Sequence, residues 1–178
     1  MATATTLITS ARFEQGLTYS DFLAAASVNR DKFEQNYNNP VLTADDRIFF
    51  QKASQHPDGP RKMLVIAEAW CGDVYRELPT AVRIAESAGI DLRIFLRDEN
   101  PDIMEEFLSN NGKSRAIPVF VFYSVDTKYI THFTERSASA LACSMASESE
   151  VESARVGHLR QPPRSSEARV SSGRYLAD

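Results

Sequence analysis

Cysteine is scarce in this chain, with Cys71 and Cys143 the only two among 178 residues. Two cysteines build no disulfide framework, and such sparing use fits a cytosolic, reducing setting. Long apolar runs are missing too. No stretch approaches the roughly 18–20 residues that span a bilayer, so no membrane association is expected. The opening residues, M-A-T-A-T-T-L-I-T-S-A-R, lack a basic start and a long apolar core, so no secretory signal is expected. Basic residues are not in excess: 20 Lys and Arg stand against 24 Asp and Glu, for a net charge of −4. With no basic stripe, nucleic acid is a poor partner. His56, His132 and His158 show no metal-ligand spacing with Cys71, so no metal is expected. Neither a glycine-rich phosphate loop nor a serine nucleophile elbow is present, and no cofactor is implied. There is no internal repeat. What is there suits one globular domain with a real core: 43% of residues are hydrophobic and 25% charged.

Residues 1–60 read as a helical extension. Thr18-Tyr19-Ser20-Asp21 is a helix start, Phe33 and Tyr37 make one stripe of a helix over Asn29–Tyr37, and Thr43 is an N-cap. Phe13, Phe22, Phe33, Phe49 and Phe50 are expected to pack this extension onto the sheet, with a partner-binding surface as the other use. From residue 61 the pattern changes. K-M-L-V-I-A-E (62–68) reads as a buried strand, Asp73–Ala88 as a helix closed by Gly89, and Ile90–Leu96 as a second strand. Asn100-Pro101 opens a short helix expected to reach Leu108. Pro118–Tyr123 and Tyr129–Phe133 read as a hairpin of two strands. A right-handed crossover makes the first two strands parallel. The expected fold is α/β: a central mixed sheet of about four strands flanked by helices. Residues 61–136 form the core. Residues 137–178 hold ten serines, seven alanines and no lysine, an atypical Ser/Ala/Arg-rich tail read as partly disordered.

Chemistry concentrates in A-E-A-W-C-G-D-V-Y-R-E-L-P, residues 67–79. Cys71 stands where a strand gives way to a helix. Unpaired N–H groups and the helix dipole at such a terminus favour a thiolate, the reactive form of cysteine. Trp70 would shield one side of the sulfur, and Gly72 would let a partner chain approach. Asp73 would either raise the thiol's pKa by pointing at it or serve as a first-turn partner of the helix. The plain alternative is an inert, buried thiol. Pro79 interrupts the helix at a cost of about 3 kcal/mol, which something must offset. Ile117-Pro118 precedes an apolar strand. Arg97-Asp98-Glu99-Asn100 is a charged cluster at a strand's carboxyl end, either functional or a capped loop. Arg115 either attracts an anionic thiol or is a solvated loop charge.

Together these residues resemble the thioredoxin superfamily. The resemblance rests on Trp70-Cys71-Gly72 with Pro79 behind it, on Ile117-Pro118, and on the order of the elements. A wider pattern resembles a bacterial-type thioredoxin-like group with a single-cysteine W-C-G-D-V motif: Val65–Asp73, Arg97–Asn100 and Ile117–Phe122. It covers roughly residues 16–136. The resemblance implies that Cys71 is the nucleophile, that Pro118 is the cis-proline facing it, and that Pro79 is the kink proline of the active-site helix. It implies substrate binding by Trp70, Gly72, Asp73, Ile117 and Pro118. Val74 falls on the resolving cysteine, and Val65 on the buried acid that assists it. A dithiol cycle therefore lacks both parts. The function this implies is a monothiol thiol–disulfide oxidoreductase that forms mixed disulfides with protein disulfides or low-molecular-weight thiols. An external small thiol, or else Cys143, would resolve them. The alternative is a redox-inactive module that holds extended peptides.

Overall fold

The computed structural model of the protein describes residues 8–39 and 42–134. The tail after residue 136, and Cys143 within it, lie outside the described residues.

β1 (Lys62–Ala67) is the apolar run of the sequence, and its last five residues are all buried. Burial on both faces is what a continuous apolar strand demands. α5 (Gly72–Ala88) carries the chain across to β2 (Asp91–Leu96), which pairs with β1 in parallel from Lys62↔Asp91 to Ala67↔Leu96. α6 (Pro101–Glu106) leads to β3 (Val119–Tyr123), antiparallel to β1, and a hairpin turns into β4 (Tyr129–Thr134). The sheet order is β2-β1-β3-β4. The expected mixed four-stranded sheet flanked by helices is the observed one.

This topology places the site. Parallel β1 and β2 end at the same edge of the sheet. Antiparallel β3 begins there, since Val119 pairs with Ile66 near the end of β1. Three loops therefore converge: the one holding Cys71, the one opening at Arg97, and the one ending at Ile117-Pro118.

The extension consists of α1 (Ser10–Phe13), α2 (Tyr19–Ala25), α3 (Arg30–Asn38) and α4 (Ala44–Gln55). Thr18 with Asp21 and Thr43 with Asp46 form capping boxes at the starts of α2 and α4, each satisfying two otherwise orphaned N–H groups. Phe13, Phe22 and Phe33 are buried in the core, as expected. Phe49 is not: it is 65% exposed, while Phe50 packs partly against the core. Successive residues on a helix with 3.6 residues per turn point about 100° apart, so this pair cannot both face inward. The short helix expected to reach Leu108 also ends sooner. It stops at Glu106 because Phe107 leaves helical geometry (φ −123°, ψ 32°) to bury its ring, which meets His132 edge-on at 5.1 Å.

Leu17 extends the sheet beyond β2. Its N–H donates to the Ile94 carbonyl and its carbonyl accepts from the Ile94 N–H, both at 2.8 Å. A bare strand edge invites pairing with other chains, and this bridge covers part of it. The approach requires glycine next door: a Cβ at Gly16 would come within 2.6 Å of the Phe95 ring and 2.7 Å of the Arg93 Cβ.

Candidate functional site

Cys71 is the N-cap of α5, in extended backbone geometry. Its N–H donates to the Glu68 carbonyl at 3.1 Å, and its own carbonyl accepts from Tyr75 N–H at 3.3 Å. These two bonds fix the sulfur at the junction of strand and helix. The side chain makes no capping bond to the first turn. Instead the thiol donates to the Ile117 carbonyl oxygen at 3.6 Å. Ile117-Pro118 is a cis peptide, and both residues are buried. The two expected halves of the site, 46 residues apart in sequence, thus meet at one sulfur–oxygen contact.

The other predicted residues of this loop, Trp70, Gly72 and Asp73, flank Cys71 in the chain. Trp70 is 52% exposed, and the Arg97 guanidinium lies over its ring at 4.8 Å from the centroid. Gly72 opens α5. A Cβ there would touch only the Tyr75 ring, at an ordinary 3.7–4.0 Å, so the protein's own packing does not demand glycine. Asp73 pairs with Arg76 at 3.4 Å within the first turn. Val74 and Val65 are buried in the core, so neither the second sulfur nor the buried acid has a polar replacement at its position.

Pro79 lies inside α5 and is buried. Having no N–H, it leaves the Tyr75 carbonyl four residues earlier without its helical donor. Asn36 of α3 supplies one: its Nδ2 donates to the Tyr75 oxygen at 2.7 Å. Asn29, in the left-handed region at φ 58°, donates from Nδ2 to the Ala69 carbonyl at 3.0 Å. Sequence reasoning misses both asparagines. The only hint is a proline in need of an offset. The extension therefore grips the chain two residues before Cys71 and four after it.

Glu68 is buried at the end of β1, and its Oε1 accepts from the Asp98 N–H at 2.9 Å. That bond joins the Cys71 loop to the Arg97–Asn100 segment. Arg97 pairs with Asp98 through Nε and Nη2, each at 2.8 Å from Oδ1, and Arg115 donates to Glu105 at 3.0 Å. Among the described residues no group of three His, Cys, Asp or Glu is placed to hold a metal ion. Nor is any helix among them long and apolar enough to cross a membrane.

A family model described as thioredoxin matches residues 16–150, well over half of the chain. The chain belongs to the thioredoxin family. Two solved structures share its fold. One is a 1.5 Å crystal structure of a protein of unknown function from Pseudomonas aeruginosa, with a TM-score of 0.62 and 17% identity, covering 84% of this chain and 90% of that one. The other is an HIV epitope scaffold, with a TM-score of 0.58 and 18% identity, covering 72% of this chain and 78% of that one. At those identities the likeness speaks for the fold alone. No curated protein matches the chain. Among the described residues of this thioredoxin-family chain Cys71 is the one cysteine, and Val74, three residues on, is buried.

Proposed function

We propose that the protein is a monothiol thiol–disulfide oxidoreductase acting through Cys71, of the bacterial-type W-C-G-D-V group, in a cytosolic setting rich in small thiols. The observation that carries this reading is the half-buried Cys71 sulfur at the start of α5, 3.6 Å from the Ile117 carbonyl beside Pro118. In the reaction the Cys71 thiolate attacks one sulfur of a disulfide R–S–S–R′. A Cys71–S–S–R bond forms and R′–S⁻ leaves, taking a proton from solvent. With no second cysteine at position 74, a thiolate of an external small thiol then attacks the mixed disulfide and releases Cys71. Leaving the Ile117 carbonyl is part of activation, because a carbonyl oxygen accepts from a thiol and repels a thiolate. Trp70, Gly72 and Asp73 border the sulfur, and the backbone at Ile117 and Pro118 faces it.

The test is turnover of a mixed disulfide by the Cys143→Ser chain with excess small thiol, with Cys71→Ser as the blank. Alkylation at pH 7 is measured alongside, folded against urea-unfolded. Turnover that vanishes in Cys71→Ser, with folded-state alkylation at least as fast as in the unfolded chain, is expected. No turnover, with alkylation slowed by folding, would instead favour a peptide-holding module without redox chemistry.

A further inference from the structure

We infer that the cavity between Arg97 and Arg115 is a subsite for the carboxylate end of a low-molecular-weight thiol; the consequence for turnover rests on the monothiol reading, the binding does not. The cavity holds about 240 Å³ and is lined by Arg97, Asp98, Pro101 and Arg115. Two guanidiniums, Arg97 and Arg115, line it beside one carboxylate, Asp98.

Each arginine already has a carboxylate, yet neither pair exhausts it. Arg97 spends Nε and Nη2 on a single oxygen of Asp98, and Arg115 spends Nη2 on Glu105. A guanidinium carries five N–H donors in a planar fork, and among the described residues these carboxylates are the hydrogen-bond partners of both. The Arg115–Glu105 pair is exposed on both sides, and such pairs contribute little and exchange readily. Arg97 is better held, packed on Trp70 with its side chain 24% exposed. It would be the fixed wall and Arg115 the closing one. Between them Asp98 offers an acceptor, which suits an α-ammonium next to an α-carboxylate.

Position ties the cavity to the sulfur. Arg97 covers Trp70, the neighbour of Cys71. Arg115 stands two residues before Ile117, whose carbonyl touches Sγ. Two residues of extended chain span at most about 7 Å. The ligand this placement would suit is a thiol with its sulfur at Cys71 and its carboxylate a residue or two away along its own backbone. The requirement is chemical: a small peptide-like thiol with an amino-acid terminus, rather than a neutral thiol or a bulky protein surface.

Trp70 is the only tryptophan and borders this cavity through Arg97, so its fluorescence reports occupancy. The first measurement is a titration of the full chain with S-methylglutathione, which keeps both termini and has no thiol to react. A saturable change is expected, weakened at least tenfold in Arg115→Gln. The second is the rate at which the Cys143→Ser chain reacts with oxidised glutathione, relative to bis(2-hydroxyethyl) disulfide. That ratio is expected to fall at least fivefold in Arg115→Gln and to fall with added salt. No saturable change, or a change that Arg115→Gln leaves intact, overturns the subsite. Saturable binding with no reaction at either disulfide upholds the subsite and overturns the oxidoreductase reading instead.

Discussion

Pro79 and Asn36 show how one residue's deficit is met by another. The proline deletes a donor to the Tyr75 carbonyl, and Asn36 replaces it across 39 residues of sequence at 2.7 Å. Removing a partner from a partly buried carbonyl costs about 1–3 kcal/mol, so Asn36→Ala should lower stability to urea by that order. Side-chain packing would account for a similar loss, so the coupling is the sharper test. In a Pro79→Ala background residue 79 regains an N–H aimed at the same oxygen, and the cost of Asn36→Ala should fall by half or more. Equal costs in both backgrounds would mean that the bond carries no weight. The proline is legible in the sequence as a break in a helical stripe, and so is the need to offset it. The asparagine is not, because a side chain bonding a backbone oxygen on another element leaves no periodic trace. Cys71 is legible for the opposite reason: it sits at a strand-to-helix junction, and junctions are what periodicity marks best.

At the scale of elements, the caps are the clearest sequence signals. Thr18 and Thr43 stand as N-caps where the sequence places helix starts. The acidic halves of their boxes add a titrating group. In α4 the Thr43 hydroxyl donates to Asp46 at 2.7 Å and the Thr43 N–H at 2.9 Å, and both bonds favour the carboxylate. They hold the Asp46 carboxyl below its ordinary value, the hydroxyl bond counting most. A carboxyl depressed in the folded state lends stability at pH above its unfolded value, about 3.9. That contribution is lost as pH falls through the folded value. The Asp46 side-chain carboxyl carbon, followed by NMR from pH 6 to pH 2, should therefore titrate below an unfolded-chain reference, and Thr43→Ala should move it back up. A midpoint unmoved by Thr43→Ala would mean that the cap does not set it. Where pattern misleads, burial has overridden it. Phe107 abandons α6 to reach the core, and Phe49 loses its inward place to Phe50.

For the whole molecule, the helical extension and the core share one hydrophobic cluster. Phe13, Phe22 and Phe33 belong to the same hydrophobic cluster as β1 and β3. Leu17 lengthens the sheet at Ile94, and Asn29 and Asn36 hold the segment around Cys71. If these contacts make one cooperative unit, unfolding in urea should give coincident transitions by Trp70 fluorescence, which watches the site, and by far-ultraviolet circular dichroism, dominated by the helices. Separate transitions would mean that the extension is a domain of its own. Gly16→Ala sharpens the question, because its Cβ would collide with Phe95 and Arg93 on β2, far from Cys71 in sequence. Overpacking of this kind costs about 1–3 kcal/mol. In a single cooperative unit that loss lowers both transitions equally, and the Cys71 site unfolds earlier although nothing near it has changed. If only the helical signal shifts while Trp70 holds its midpoint, the extension is peeling from β2 alone. The grip of Asn29 and Asn36 on the site would then be too weak to couple the two.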